Sequence, residues 1–307
     1  MRALSLSAVV LTLVMIALGA LVTSRDAGLS IPDWPLAFDE AVPEKQLAAD
    51  HVVVRGREYS RGDVASEWVH RVTGATLGAL VVAVVVAAHV ARTEPRVRRL
   101  AWAALALVVV QGIVGGVGVL RLQPAVLAVT HALLAQSLLA VLVALSWLAS
   151  ARRAEPPAAL ADGRRLRAVF VSIPALLLAQ LFLGATFRHA NVAAALILHV
   201  AVALGLLAVV AWAALRVQDH GSRASRLVRP TIVLGALLLA QIFLGALAYL
   251  FRQPKTAAVE RGLATNLFPT AHVVLGAAIL AHAVALAMRA ARTIDPEPAV
   301  AARASSA

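Results

Sequence analysis

The chain has 307 residues, 61% of them hydrophobic and 14% charged, with a mean hydropathy of +0.85. That composition excludes a soluble enzyme, a disordered chain and a disulfide-rich secreted module, and leaves a polytopic membrane protein. The absence of cysteine excludes disulfides, iron–sulfur clusters, thiolate metal sites and thioether haem attachment, and a net charge of +12 in such a chain reads first as a topology signal.

Eight apolar stretches reach the ~20 residues that a membrane-spanning helix needs. They lie at 4–24, 66–90, 99–120, 125–149, 168–187, 192–215, 230–250 and 267–288. The first follows Arg2 like a signal peptide, but its apolar run is long and no small-x-small cleavage site precedes Arg25. A retained helix is expected. Most of the 28 lysines and arginines fall on one side: Arg2, Arg92, Arg96, Arg98 and Arg99, then Arg152, Arg153, Arg164, Arg165, Arg167, Arg216, Arg223, Arg226, Arg229, Arg289, Arg292 and Arg303. The positive-inside rule makes that side cytoplasmic, with both termini on it. No basic face with interleaved aromatics points to nucleic acid.

The Pro156-Pro157 linker divides the spans four and four. Residues 1–154 form the expected N-terminal four-helix bundle, with a long outer loop over 25–66. A cytoplasmic linker follows at 155–165, then a C-terminal four-helix bundle at 166–292 and a cytoplasmic tail at 293–307. The halves form a weak internal repeat. Spans three, five and seven carry Gln-x-x-x-Gly as Gln111/Gly115, Gln180/Gly184 and Gln241/Gly245, and span one has Met15/Gly19 in that place. These four spans end outside at Arg25, Arg121, Arg188 and Arg252.

The even spans each bring one histidine to a similar outer depth: His70, His131, His199 and His272. Imidazole in a bilayer is costly without a partner and faces the bundle interior. A lone histidine would be an ordinary core residue bonded to a carbonyl. Four at matched depth on facing helices suit two six-coordinate haem irons, each held by two axial nitrogens. Four residues after each histidine stands a small residue, Gly74, Ala135, Ala203 or Gly276, which leaves room for a flat macrocycle. Zinc fits less well, because it takes three or four clustered ligands and there is no H-E-x-x-H. His51, His89, His189, His220 and His282 are expected not to be ligands.

Glu67 shares the helix face of His70 and is the one carboxylate beside a membrane-side histidine in a span. It suits proton removal or charge stabilisation beside a substrate, or simply a helix start. Arg71 could pair with Glu67, contact a haem propionate or snorkel. Arg25, Arg121, Arg188 and Arg252 could likewise clamp propionates or anchor at the interface. Gly19, Gly28 and the pair Gly112/Gly116 read as close-packing positions.

The segment Gly28-Leu29-Ser30-Ile31-Pro32-Asp33-Trp34-Pro35, the run Glu67-Trp68-Val69-His70-Arg71 and the histidines at 131, 199 and 272 together resemble the heme A synthase family over essentially the whole chain. The resemblance implies an all-α integral membrane fold of eight transmembrane helices in two pseudo-symmetric four-helix bundles. It implies haem b iron, the cofactor, at His199 and His272, and the substrate heme O at His70 and His131. It further implies oxidation of the position-8 methyl of heme O to a formyl group, making heme A for terminal oxidases, with Glu67 functionally required. The setting implied is a bacterial plasma membrane, with heme O, lipid, the heme O synthase and an unidentified electron acceptor as partners. The cysteine pair of some relatives is missing, and Ile31 and Ala37 stand in its neighbourhood. A b-type membrane electron-transfer cytochrome and a haem transporter remain as alternatives.

Overall fold

A computed structural model describes residues 1–150, 157–252 and 262–295. Arg152, Arg153, Glu155, Pro156, Arg303 and the tail from 296 lie outside the described residues. Among the described residues, eight helices are long and apolar enough to cross a membrane. They are α1 (Arg2–Arg25), α3 (Arg61–Val90), α4 (Pro95–Leu120), α5 (Ala125–Leu148), α6 (Gly163–Ala190), α7 (Ala193–Asp219), α8 (Ser225–Leu250) and α9 (Leu263–Thr293). The chain is thus an all-α, multi-pass integral membrane protein.

Most helices extend past the apolar runs because local capping continues them. Ser60 and Asp63 form a reciprocal capping box ahead of α3, and Pro95 opens α4 where its missing N–H costs nothing. Each odd-numbered span pairs with the helix that follows it: α1 with α3, α4 with α5, α6 with α7, and α8 with α9. Helices α1, α5, α6 and α9 pack on one another in the middle of the molecule. Ile16, Leu139 and Ala277 meet there in one apolar cluster.

The two large apolar cores sit toward one face only. Val81, Val84, Ala88, Ala101, Leu142 and Leu145 fill most of the first, toward the arginine-rich ends of their helices. Leu166, Phe170, Val210, Val217, Leu227 and Leu286 do the same in the second. The opposite ends, where the four histidines lie, carry few buried large apolar side chains. The histidine face is therefore less tightly filled than the arginine-rich face.

The outer segment after α1 is ordered. It contains a short helix α2 (Glu44–Ala48) and an antiparallel hairpin of β1 (His51–Val54) and β2 (Arg57–Ser60), paired His51 to Ser60. Ile31, Ala37, Val54, Tyr59 and Val64 form its own small core. Near the arginine-rich face, the two-residue strands β3 (Ala158–Ala159) and β4 (Ile294–Asp295) pair in parallel.

Candidate functional site

Each of the four histidines lies against a glycine on the helix before it. A Cβ on Gly19 would stand 2.9 Å from His70 Cε1, and one on Gly115 would stand 2.8 Å from His131 Cε1. The same test gives 2.9 Å for Gly184 and His199, and 2.9 Å for Gly245 and His272. Only a residue without a Cβ lets the imidazole lie this close to the neighbouring backbone. The Gln-x-x-x-Gly repeat is thus a ring cradle, repeated four times with Met15 replacing glutamine once.

Gly19, read as a close-packing position, packs against a histidine ring. At two positions the small residue after the histidine also accommodates a side chain of the neighbouring helix. Gly74 faces the Met15 Cε, which would be 3.1 Å from an added Cβ, and Gly276 faces the Gln241 amide at the same distance. Each makes room for the side chain one turn before the opposing glycine. Histidine and small residue on one helix therefore interlock with glutamine or methionine and glycine on the other.

The histidines come in pairs. The His199 and His272 rings have centroids 6.2 Å apart, with planes at 69°. Two imidazoles bonded at about 2 Å to opposite sides of one metal have centroids about 6 Å apart, so this pair fits a six-coordinate haem iron. His70 and His131 are close enough to interact electrostatically. Nδ1 of His70, His131 and His272 and Oε1 of Gln111, Gln136, Gln180 and Gln241 are buried without hydrogen-bond partners. Buried polar atoms are normally satisfied, and these exceptions gather around the paired histidines. Among the described residues, no three histidine, aspartate or glutamate side chains converge on one point.

His199 Nδ1 lies 3.0 Å from the Gln180 carbonyl, an arrangement in which the ring N–H donates there and Nε2 is left as the ligating atom. The other histidines have ordinary partners or surfaces. His282 Nε2 meets the Pro230 carbonyl at 2.8 Å and His89 Nδ1 meets the Val85 carbonyl at 3.0 Å. His220 sits on Asp162, and His51 lies beside Glu58 on the hairpin. His189 is in the last turn of α6.

Glu67 is 3% exposed. Its Oε2 accepts from the Ser30 hydroxyl at 2.9 Å and from the Ile31 backbone N–H at 3.0 Å. Its Oε1 accepts from Arg71 at 2.6 Å. Arg71 in turn donates to the carbonyls of Ile31, Asp33 and Leu36. The Glu67–Arg71 pair therefore fixes the Gly28–Pro35 segment above the first histidine pair. Gly28 is held from the far side, where Gln123 donates to its carbonyl at 2.6 Å. Trp34 lies with its indole against Gly116 of α4, which corrects the packing reading of that glycine. Ile31 and Ala37 are both buried in the outer core.

The candidate arginines separate by environment. Arg25 is paired with Asp63 at 2.9 Å. Arg252 lies over the Phe187 and Tyr249 rings. Arg121 is exposed at the end of α4. Arg188 reaches between the halves, donating to Ser24 at 2.8 Å and to the Ala20 carbonyl at 3.2 Å. The outer-segment bonds and the Arg188–Ser24 contact had no signal in sequence spacing, since each joins residues that are distant along the chain.

A family model described as a cytochrome oxidase assembly protein, COX15-CtaA, matches residues 2–197. A heme A synthase from Symbiobacterium thermophilum is 35% identical over 133 residues, which is 43% of this chain and 39% of that protein. The match thus spans well under half of that relative.

Proposed function

The chain belongs to the COX15-CtaA family of cytochrome oxidase assembly proteins, and from that premise we propose that it is a heme A synthase, oxidising the position-8 methyl of heme O to a formyl group. The observation that carries this reading is the fourfold histidine-on-glycine cradle. It gives two histidine pairs, and two macrocycles, a cofactor and a substrate, are what the reaction needs. The family match ends before His199, so the cofactor half rests on geometry: the 6.2 Å separation of the His199 and His272 rings. When bound there, haem b supplies a one-electron relay for the oxidation.

The N-terminal half receives heme O between His70 and His131. Glu67 stands three residues before His70 on the same helix face and balances positive charge beside the substrate while the methyl group is oxidised. Its engaged donors also hold the Gly28–Pro35 segment over the site, which limits water there. Val69, Val72 and Val126 are exposed apolar residues at the level of the histidines, and they give the farnesyl tail of heme O a lipid-facing path. Arg188 is the best placed of the arginines to meet a propionate, because the Arg71 guanidinium is already engaged by Glu67 and three backbone carbonyls. The arginine-rich face is cytoplasmic by the positive-inside rule, so chemistry occurs toward the outer side of a bacterial plasma membrane. Heme O synthase delivers the substrate, and an electron acceptor in the membrane completes turnover.

Expression in a host that makes heme O, followed by pigment extraction, tests the proposal. Heme A should appear, and should vanish in Glu67→Gln and His70→Ala. Tight haem b with no heme A, despite ample heme O, overturns it.

A further inference from the structure

Three of the four ring cradles place glutamine one turn before the glycine, and α1 places Met15 there. The two halves use these positions differently. In the C-terminal half both amides clamp the opposing ligand helix. Gln180 Nε2 donates to the His199 carbonyl at 2.6 Å, and Gln241 Nε2 donates to the His272 carbonyl at 2.9 Å while reaching 3.5 Å from that ring's Nε2. Both amide oxygens are buried without partners. The amides are therefore present for their N–H donors, since an unsatisfied buried acceptor is otherwise unfavourable.

In the N-terminal half neither histidine is held this way. Met15 has no donor, and its methyl rests near Gly74. Among the described residues, Gln111 makes no side-chain hydrogen bond, and its Oε1 is buried without one. A donor bonded to the histidine's own carbonyl fixes the height of that helix against its neighbour. The imidazole cannot withdraw from where it would hold an iron without breaking a buried hydrogen bond. Without the clamp, the helix is free to shift by the small amount that releases a ligand.

We propose that Gln180 and Gln241 are positioning residues that make the haem of the C-terminal half a resident group, and that their functional absence around His70 and His131 makes the N-terminal half an exchange site. Met15 leaves His70 the least restrained of the four ligands. This rests on the assignment of cofactor and substrate halves made above.

The test uses the purified full-length protein carrying haem b, with Gln180→Met, Gln241→Met and Gln111→Met as single variants. Methionine is the residue this chain itself places in the fourth cradle. Gln→Leu at the same positions is the second variant wherever Met lowers the yield of monodisperse protein. Haem loss is followed by transfer to excess apomyoglobin, and ligation by the low-spin electron paramagnetic resonance signal. Gln180→Met and Gln241→Met should each speed haem b loss about tenfold or more and shift that signal, because the helix carrying the histidine is no longer held at its height. Gln111→Met should leave haem b loss within twofold of the parent. Met15→Gln, loaded with heme O, should release it more slowly. Unchanged haem b loss in both Gln180→Met and Gln241→Met, or equal acceleration by Gln111→Met, overturns the proposal. His199→Ala separates the two levels. If it keeps tight haem b, the assignment of halves fails and the proposal with it. If it loses haem b while the glutamine variants do not, the assignment stands and the clamp falls.

Discussion

The Arg188 guanidinium donates to the Ser24 hydroxyl at 2.8 Å, fastening the last turn of α6 to the last turn of α1. Ser24 also accepts from Thr270 of α9 at 3.0 Å. Below this node on α1 lies Gly19, the cradle of His70, and two residues along α9 lies His272. One polar contact thus touches helices that carry or cradle histidines of both pairs. It also sets a fixed positive charge close enough to His272 to interact with it.

Removing that charge should lower the midpoint potential of the haem in the C-terminal half. A cation favours the reduced, less positive iron, and for a charge near a partly buried site the effect is on the order of tens of millivolts. Redox titration of Arg188→Leu should show the drop. Arg188→Lys, which keeps the charge, should stay near the parent. An equal fall in both variants would assign the effect to packing.

Gly184→Ala and Gly245→Ala should displace His199 and His272, because each added Cβ would stand 2.9 Å from an imidazole carbon. Overpacking of this kind costs roughly 1–3 kcal/mol. The readout is the ratio of haem b to protein, which should fall. Gly205→Ala on α7 is the control, since nothing lies within 4 Å of its added Cβ. It should bind haem b normally and gain slightly in helix stability.

The eight spans were legible because apolar runs of bilayer length need no tertiary information. The histidine quartet was legible because polar side chains at matched depth stand out in such a chain. The Gln-x-x-x-Gly repeat was visible too, but spacing does not say which helix faces which, so Gly19 and Gly116 read as packing positions. The outer segment was illegible for a different reason. Its order comes from Glu67, Arg71 and Gln123, which reach across 36 to 95 residues of chain or bind backbone carbonyls that carry no residue identity. Arg188 belongs to the same class: an arginine at a helix end looks like an interfacial anchor until its partner, 164 residues away, is seen.

Glu67→Gln should do two separable things. An amide cannot accept from Arg71, Ser30 and Ile31 as the carboxylate does, and breaking one side of a buried pair costs about 3 kcal/mol. Limited proteolysis within residues 26–60 should therefore speed up. Heme A formation should also cease. Ser30→Ala removes one loop bond and leaves the carboxylate, so it should loosen the segment while retaining most heme A formation. Loss of heme A in Ser30→Ala equal to that in Glu67→Gln would reduce Glu67 to a structural brace.

Gly116→Val should lift the outer segment from α4. The Trp34 indole occupies the space a side chain at 116 would need. Either the ring or the helix must move, at roughly 1–3 kcal/mol. Proteolysis of the 26–60 segment should accelerate and Trp34 should become more accessible to a fluorescence quencher. Gly112→Val, one turn away with open space around it, should change neither.

Asp162 closes the arginine-rich end of the second half, just before α6. Its Oδ2 accepts from Arg216 at 2.9 Å and its Oδ1 meets His220 Nε2 at 2.5 Å. Burial pushes this carboxyl up, but the hydrogen bonds from His220 and Arg216 outweigh it and hold the group below its ordinary value of 3.8. A carboxylate depressed in the folded state contributes stability that is fully present above the ordinary value. That contribution is lost as pH falls through the lower folded value. Melting of the detergent-solubilised protein should therefore shift downward as pH is lowered through and below 3.8. Asp162→Asn should melt lower at pH 7 and lose part of this acid sensitivity, since an amide neither titrates nor attracts Arg216. An Asn variant with the parent's full acid shift would place the sensitivity elsewhere in the protein.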